Sequence, residues 1–375
     1  MIYLDNASTT YPKPEELYIE LDKINRELAF NSGRGSYRKA REVSILIDEV
    51  REKISSMVMA NKDNVIFTSS ATEALNNIIF GIKWNIGDNV YISPFEHNSL
   101  VRPLERIKKL YNINIHIIPF DKKSWNVKDE IFDMFALKNP KYIFLSSKSN
   151  VTGYRLPFEK IFELGKKYNS INLLDASQSF GIDKTITKNY IDFIVFAGHK
   201  SLYATFGVAG FIKLTNISLD SRSFGGTGSD TLNPNMPDVS PTKYEAGSKN
   251  TIGILGLKVS LEWLEKANIN DKEKELTKYL YENLLKLSKI IICLPEDKEK
   301  ISGIISINID GYISEDVGKI LDEEFDICVR TGYHCSPYIH DFLETKKYYG
   351  TVRISLGYFN NFSDIDKLII ALKSL

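Results

Sequence analysis

The stretch "DFIVFAGHKSLYATFGVAG", residues 192–210, decides the fold prediction. It begins with a run of aromatic and β-branched residues, which predicts a buried β-strand. Lys200 closes this run between small residues, where a solvated surface lysine is not normally placed. A partly desolvated amine loses its proton more easily than a free one, so Lys200 is a candidate for Schiff-base chemistry.

Six further apolar runs lie on either side of this stretch, between residues 64 and 213. They are "NVIFTSS", "NVYISP", "INIHIIPF", "KYIFLSS", "INLLDAS" and "VAGFIKL", and most are separated by helical patterns. This alternation predicts an α/β fold with a mostly parallel seven-stranded sheet and helices on both faces. In such sheets, ligands bind at the carboxyl ends of the strands.

The rest of the chain, from residue 214 onward, has a different character. Residues 214–250 are rich in Gly, Pro, Ser and Asn, which predicts a long irregular segment of the kind that is usually functional. A helical stretch from about 252 to 289 follows, and then strand and helix patterns predict a smaller α+β unit. We therefore expect a large domain at 16–255 and a small domain formed by 1–15 and 256–375.

Composition excludes several classes of protein. The 375 residues contain 48 Lys+Arg and 48 Asp+Glu, a balance that argues against a nucleic-acid surface. No apolar run approaches the roughly 18–20 residues that a membrane span needs, and "MIYLDNASTTYPKPEE" is not typical of a signal peptide. Three irregularly spaced cysteines do not suggest a disulfide framework, so we expect a reducing cytoplasm.

Polar residues follow several of the predicted strands. Thr72, after Ala71, lies in the first turn of a predicted helix, where free N–H groups suit an anion, although Ser70 and Glu73 also fit a simple capping box. His97 follows another strand, and the alternative to a functional role is that it is a structural histidine. Asp175 ends a third strand as either an N-cap or a ligand-facing carboxylate, and Gln178 follows it.

These residue types together match the needs of pyridoxal phosphate. That cofactor requires an amine, a carboxylate for its pyridinium nitrogen, a ring that stacks on it and donors for its phosphate. Lys200, Asp175, His97 and Thr72 supply these groups, all at the carboxyl ends of predicted parallel strands. The sequence therefore predicts a pyridoxal phosphate site.

Nine motifs occur in the order "YLDNASTT", "SATEALN", "EHNS", "SNVTG", "LLDASQS", "AGHKS", "FGGTGSD", "YEAGSKN" and "VRTGYHC", followed by "VRISLGYFN". In this order the chain resembles the class V aminotransferase-fold enzymes, and among them the cysteine desulfurases and their selenocysteine lyase relatives. The resemblance runs from residue 3 to residue 360. It implies the fold type I of pyridoxal phosphate-dependent transferases and a homodimer.

The resemblance also implies roles for the cofactor-binding residues. Lys200 would form the Schiff base, and His97 would stack on the ring and move protons. Asp175 would pair with the pyridinium nitrogen and Gln178 with the ring hydroxyl. The remaining positions, implied to surround the phosphate, are Ala71, Thr72, His199 and, from the neighbouring subunit, Ser248.

The substrate and the nucleophile follow from the same resemblance. Asn150 and Arg353 would hold the carboxylate of L-cysteine, although Arg353 also fits an ion pair on a strand surface. Cys335 would attack the substrate sulfur, form a persulfide and release L-alanine. A cysteine nucleophile reacts as its thiolate, so Arg330 and His334 are candidates to tune the charge of Cys335. Arg330 is also a further candidate for the substrate site.

The stretch "CVRTGYHCSPYIH", residues 328–340, also contains a candidate metal site. Its two cysteines and two histidines number four ligands, but a six-residue gap and an adjacent His-Cys pair are not typical of structural zinc. We therefore expect no metal. Cys328 and Cys293 lie in apolar surroundings and are predicted to belong to the core.

Three positions differ from patterns in the family. Ala197 stands where relatives often have a hydroxyl residue, Tyr333 where some have histidine, and Ser248 where threonine is common. The compact cysteine segment resembles the second desulfurase group, which implies a dedicated sulfur-acceptor protein.

The sequence leads to a pyridoxal phosphate-dependent cysteine desulfurase. A selenocysteine lyase and another class V aminotransferase or lyase remain alternatives, and a non-enzymatic metal-binding scaffold is the alternative from a different class.

Overall fold

Strands and helices alternate along most of the chain. The computed structural model describes residues 1–33 and 35–375. Up to residue 213 the elements are β1 (Ile2–Tyr3), α1 (Glu15–Glu27), α2 (Arg38–Ser56), β2 (Val65–Thr68), α3 (Ala71–Gly81), β3 (Asn89–Ile92), α4 (Asn98–Tyr111), β4 (Asn114–Ile117), α5 (Glu130–Leu137), β5 (Tyr142–Ser146), α6 (Phe158–Lys166), β6 (Ile171–Asp175), β7 (Phe193–Ala197) and β8 (Ala209–Lys213). From residue 251 they are α7 (Thr251–Leu264), α8 (Ile269–Leu284), β9 (Ile290–Cys293), β10 (Ile304–Ile309), α9 (Ser314–Phe325), β11 (Ile327–Cys328), β12 (Arg330–Gly332), α10 (Ile339–Phe342), β13 (Thr351–Ser355) and α11 (Phe362–Lys373).

The seven predicted apolar runs form one seven-stranded sheet. Its strand order is β2-β8-β7-β6-β5-β3-β4, and only β8 runs antiparallel to its neighbours. All residues of β5 and β7 are buried, as expected for strands covered on both faces. The prediction of an α/β fold with a mostly parallel seven-stranded sheet is confirmed.

The sheet separates two hydrophobic clusters. Tyr142 and Phe144 of β5 belong to one cluster, whereas Ile143 and Leu145, which alternate with them, belong to the other. Because successive side chains of a strand point to opposite faces, this division shows that both faces are packed. None of the described helices is long and apolar enough to cross a membrane.

The C-terminal elements form a four-stranded antiparallel sheet in the order β12-β13-β10-β9. β1, at the start of the chain, pairs in parallel with β11, so the N-terminal segment lies among the C-terminal elements. This pairing accords with the predicted two-part small domain, although the proposed boundary after residue 255 falls inside α7. The exact domain division stays a prediction.

The helical stretch predicted over about 252 to 289 is two helices rather than one. α7 ends at Leu264 and α8 begins at Ile269 after Asn268. Asn268 donates its side-chain amide to Asp271, and asparagine favours such local bonds at helix ends over helix interiors. Residues 214–250 are largely irregular, as predicted, apart from a short 3₁₀ turn at Thr242–Tyr244.

Candidate active site

The carboxyl ends of β5, β6 and β7 meet at one edge of the central sheet. Ser146, the last residue of β5, pairs with Asp175 at the end of β6, and Asp175 pairs with Val195 of β7. A pocket opens at this edge, and most of the predicted cofactor residues line it. The predicted residues in its lining are Ala71, Thr72, His97, Asn150, Asp175, Gln178, His199 and Lys200.

Lys200 lies three residues beyond the end of β7. Burial lowers the pKa of its amine, and the negative charge of Asp175 opposes that effect without cancelling it. The N-terminal segment fixes the backbone just before it, because the carbonyl of His199 accepts hydrogen bonds from Thr10 N (3.1 Å) and Lys13 Nζ (2.9 Å). The site therefore favours a neutral amine in a fixed position.

Asp175 and Gln178 face the same pocket through a tight turn. Asp175 Oδ1 accepts hydrogen bonds from the backbone N–H (3.0 Å) and the hydroxyl (2.5 Å) of Ser177. Gln178 Nε2 donates to the carbonyl of Ala7 at 2.9 Å, so this donor is bound to the N-terminal segment in the structure. These bonds hold the carboxylate at the end of β6.

His97 is the N-cap of α4. Its Nδ1 accepts a hydrogen bond from the backbone N–H of Ser99 at 3.0 Å. Burial, together with the charge of Lys200, lowers the pKa of His97 to about 3. The imidazole is therefore neutral near pH 7, and since Nδ1 is an acceptor, its proton is on Nε2.

The start of α3 provides the predicted anion site. Ser70 caps the helix by accepting from Glu73 N at 3.2 Å, and Thr72 Oγ1 lies 2.8 Å from Ser99 Oγ. The predicted capping box is only half formed, because the Glu73 carboxylate binds the N–H and hydroxyl of Ser69 instead. The free N–H groups of this helix end point toward the pocket edge where Thr72 lies.

His199 provides the clearest sign that the pocket binds a polar ligand. Its Nδ1 is buried and has no hydrogen-bond partner among residues 1–33 and 35–375. Its ring stacks on Phe206, with 4.5 Å between the ring centroids. Burial, followed by the charges of Lys200 and Lys13, lowers its pKa to about 3. A buried ring nitrogen of this kind normally has a partner, so a polar ligand such as phosphate fits beside it.

Cys335 is exposed, although its neighbours His334 and Ser336 are buried, and it lies on a segment that abuts the pocket. Its carbonyl accepts from Asn98 N at 2.7 Å, next to His97, and Arg330 Nη2 lies 3.4 Å from its Sγ. Both His334 and Cys335 adopt left-handed backbone conformations, with φ of +48° and +57°. Such conformations cost energy in residues other than glycine and are concentrated at functional sites.

Of the two candidates for tuning this thiol, the structure favours Arg330. His334 is buried, and its Nε2 lies 2.9 Å from Thr351 Oγ1. Burial holds the pKa of His334 well below its usual value, so its ring carries no charge at neutral pH. The positive charge beside the sulfur is therefore that of Arg330.

The two predicted carboxylate-binding residues lie in contact. Arg353 is almost fully buried, and its Nη1 donates to the carbonyl of Asn150 at 3.0 Å. The Asn150 side chain donates to the carbonyl of His334 and accepts from Ser336, so it also fixes the cysteine segment. Arg353 does form an ion pair, with the partly exposed Asp5, but its own side chain is buried and does not lie on a strand surface.

The other cysteines and the histidine of the candidate zinc cluster have separate surroundings. Cys293 is buried as predicted, whereas Cys328 is half-buried in β11 beside the edge strand β1. Both ring nitrogens of His340 have partners, Thr345 Oγ1 at 2.7 Å and the carbonyl of Tyr333 at 3.0 Å. In residues 1–33 and 35–375, no group of three or more His, Cys, Asp or Glu side chains is placed to hold a metal.

Ser248 does not reach this pocket within its own chain. It is exposed and lines a neighbouring cavity together with Glu245 and Lys249. Two family departures have clear positions: Ala197 presents a buried methyl group to the pocket, and Tyr333 is exposed and edge-on to His340.

Four polar residues near the site were not predicted from the sequence. Glu96 is fully buried and accepts hydrogen bonds from Ser93 and Ser146; burial raises its pKa to about 7. Lys148 lines the pocket and forms a buried ion pair with another element. The other two, Asp5 and Lys13, come from the N-terminal segment. The motif "YLDNASTT" contains Asp5, but its contact with a residue 348 positions further along the chain has no local sequence signal.

Comparisons with known proteins identify the family and the fold of the chain. The family profile described as "Aminotransferase class-V" matches residues 2–368. A probable cysteine desulfurase of Methanothermobacter thermautotrophicus is 29% identical over 374 residues, covering 98% of this chain and 92% of that protein. A probable cysteine desulfurase of Borreliella burgdorferi is 28% identical, covering 100% of this chain and 92% of that protein.

Solved structures share the fold. An apo cysteine desulfurase from Thermococcus onnurineus NA1 superposes with a TM-score of 0.90 at 24% identity, covering 100% of this chain and 94% of that one. A cysteine desulfurase from Escherichia coli superposes with a TM-score of 0.85 at 22% identity, covering 99% and 94%. At these identities the likeness extends to the fold of the chain.

Proposed function

Because the chain belongs to the aminotransferase class V family, we propose that it is a pyridoxal phosphate-dependent cysteine desulfurase that converts L-cysteine to L-alanine. One observation carries this proposal. An exposed thiol, Cys335 Sγ, lies 3.4 Å from a guanidinium nitrogen of Arg330, on a segment that abuts the Lys200 pocket. An aminotransferase needs no such nucleophile, whereas sulfur transfer to an enzyme thiol does.

The residues of the pocket fit pyridoxal phosphate. Lys200 would hold its aldehyde carbon, and Asp175 would face its ring nitrogen. The start of α3 with Ala71 and Thr72, and the unpartnered Nδ1 of His199, would bind its phosphate. When bound, the cofactor supplies an electron sink for the charge that develops on the substrate carbons.

The protein's own groups then move protons and orient the substrate. The neutral amine of Lys200 can accept a proton from the substrate and return it. His97 would stack on the ring of the cofactor with its own proton on Nε2. Arg353 and Asn150 would orient the substrate carboxylate.

The sulfur step takes place at Cys335. Its thiolate attacks the sulfur of L-cysteine, so an S–S bond forms while the Cβ–S bond of the substrate breaks. The electron pair of the broken bond stays with the carbon fragment, which takes up a proton and leaves as L-alanine. The guanidinium of Arg330 stabilises the anionic sulfur before and after the transfer.

Partners and location follow from the same proposal. A homodimer would bring Ser248 of one subunit to the phosphate of the other, which accords with its exposure and its distance from the pocket of its own chain. The exposed persulfide would pass to a dedicated acceptor protein. The three free cysteines support a reducing, cytoplasmic setting.

The test is to supply L-cysteine to purified protein loaded with pyridoxal phosphate and to measure alanine and sulfide. We expect Cys335→Ala to abolish alanine formation, while Cys328→Ala, a half-buried thiol outside the site, retains it. Lys200→Ala should lose the visible absorbance of the bound cofactor. Equal alanine formation by the unmodified protein and Cys335→Ala would refute the assignment. Parallel rates with L-selenocysteine separate a desulfurase from a selenocysteine lyase.

A further inference from the structure

The guanidinium of Arg353 is almost fully occupied by the protein itself. Its Nη1 donates to the carbonyl of Asn150, and its Nη2 donates both to Asp5 Oδ1 and to Ser8 Oγ, the latter at 2.8 Å. Its Nε is buried and has no partner in the part of the chain that the structure describes. The arginine therefore keeps one buried donor that no described residue of the protein satisfies.

Bidentate binding of a carboxylate requires two adjacent donors of the guanidinium. Nε provides one of them, and the adjacent donor belongs to Nη2. Both hydrogens of Nη2 are already bound, one to Asp5 and one to Ser8. An incoming carboxylate can complete the fork only if one of these two residues releases Nη2.

Of the two partners of Arg353 Nη2, only Asp5 carries a charge. Ser8 is neutral and remains tied to its neighbours, because its hydroxyl lies 2.9 Å from Asp5 Oδ1 and 3.3 Å from Arg330 Nη1. Arg330 contacts the sulfur of Cys335 through its Nη2. The cation left for a carboxylate is Arg353, and Asp5 already neutralises it.

We propose that Asp5 is an internal carboxylate that occupies Arg353 in place of the substrate and is displaced from Nη2 when the substrate carboxylate binds. Asp5 thereby keeps the buried guanidinium oriented and lowers the affinity of the site for amino acids, so that product leaves. Asp5 is a positioning residue, and this inference rests on the proposed function.

Asp5→Asn tests the proposal, because it keeps the size of the side chain and an oxygen that accepts hydrogen bonds while removing the charge. We expect the Kd for L-alanine, measured by calorimetry on the cofactor-loaded protein, to fall about tenfold, since a nearby like charge is removed from a partly buried site. The KM for L-cysteine should fall in parallel. The difference between the two proteins should shrink as salt is added.

Two controls separate this effect from others. Asp22→Asn removes a carboxylate from an exposed pair on α1 and should leave the Kd for L-alanine unchanged. Asp5→Ser removes the charge with a smaller side chain, and it decides the question if the asparagine variant does not fold. A Kd that is unchanged or higher in the folded charge-removing variant overturns the proposal, because a purely structural Asp5 would leave Arg353 misplaced.

The experiment distinguishes a failure of this inference from a failure of the desulfurase assignment. If the unmodified protein makes no alanine from L-cysteine, the proposed function fails, yet the calorimetric comparison with L-alanine still reports on Asp5. If turnover is present and the Kd does not fall, only the role of Asp5 is refuted.

Discussion

Lys148→Met should destabilise the protein in a strongly pH-dependent way. Lys148 and Glu273 form an ion pair with Nζ and Oε2 3.4 Å apart, and each side chain is at least nine-tenths buried. The pair joins the end of β5 to α8. Burial raises the pKa of Glu273, and the charge of Lys148 is the main influence that lowers it. Without Lys148, nothing offsets the effect of burial on this carboxyl, and the protonated form of Glu273 is favoured in the folded protein.

The loss in the free energy of unfolding of Lys148→Met comes from the proton that Glu273 takes up when the variant folds. An ordinary carboxyl pKa of 4.5 lies about 2.5 units below pH 7, and each unit is worth about 1.36 kcal/mol, so the cost is at most about 3.4 kcal/mol. Near pH 5.5 the same reasoning leaves about 1.4 kcal/mol. The pKa of Glu273 is raised even with Lys148 present, and loss of that charge raises it further, so the variant loses stability relative to the unmodified protein as the pH rises through the raised pKa of the unmodified protein.

Urea unfolding followed by tryptophan fluorescence at the two pH values measures this difference. Lys148→Met/Glu273→Gln removes both charges and should recover most of the loss near pH 7, as paired removal of buried charges does. Lys62→Met, which breaks an exposed pair with Asp48, should leave the free energy of unfolding nearly unchanged at either pH. A loss for Lys148→Met that is the same at both pH values would contradict the reasoning.

Three further outcomes are expected. Arg330→Gln should slow alanine formation at least about tenfold, since a charge-assisted hydrogen bond is worth about 1.5–3 kcal/mol. Initial rates with saturating L-cysteine measure this effect, and an unchanged rate would exclude Arg330 from the sulfur step. Glu96→Gln should flatten the pH dependence of the free energy of unfolding. A carboxyl pKa raised to about 7 stabilises the folded protein at low pH, and this contribution is lost as the pH rises through 7. Urea midpoints across that range measure the effect, and a pH dependence equal to that of the unmodified protein would contradict this prediction. His199→Phe should weaken binding of pyridoxal phosphate about tenfold by removing Nδ1; titration of the cofactor-free protein checks this, and an equal Kd would exclude His199 from the phosphate site.

The arrangement of strands and helices and the edge where the site lies follow largely from local sequence. Apolar runs separated by helices predict a parallel sheet, and the carboxyl ends of such strands meet at one edge. For that reason the sequence alone places Lys200, Asp175 and His97 in one group, and in the folded protein they line one pocket. Their roles toward the cofactor stay predictions drawn from the resemblance.

Which polar groups are paired with each other depends on the folded protein rather than on local sequence. Asp5 meets Arg353 across 348 positions, and Lys148 meets Glu273 across 125. Periodicity reports on neighbours along a strand or helix and carries no information on such distant pairs. The same holds for the choice between His334 and Arg330 as the charge beside Cys335. Burial lowers the pKa of His334, so its ring is neutral, whereas Arg330 beside the sulfur remains charged. Burial is a property of the packed protein and cannot be read from the sequence around the cysteine.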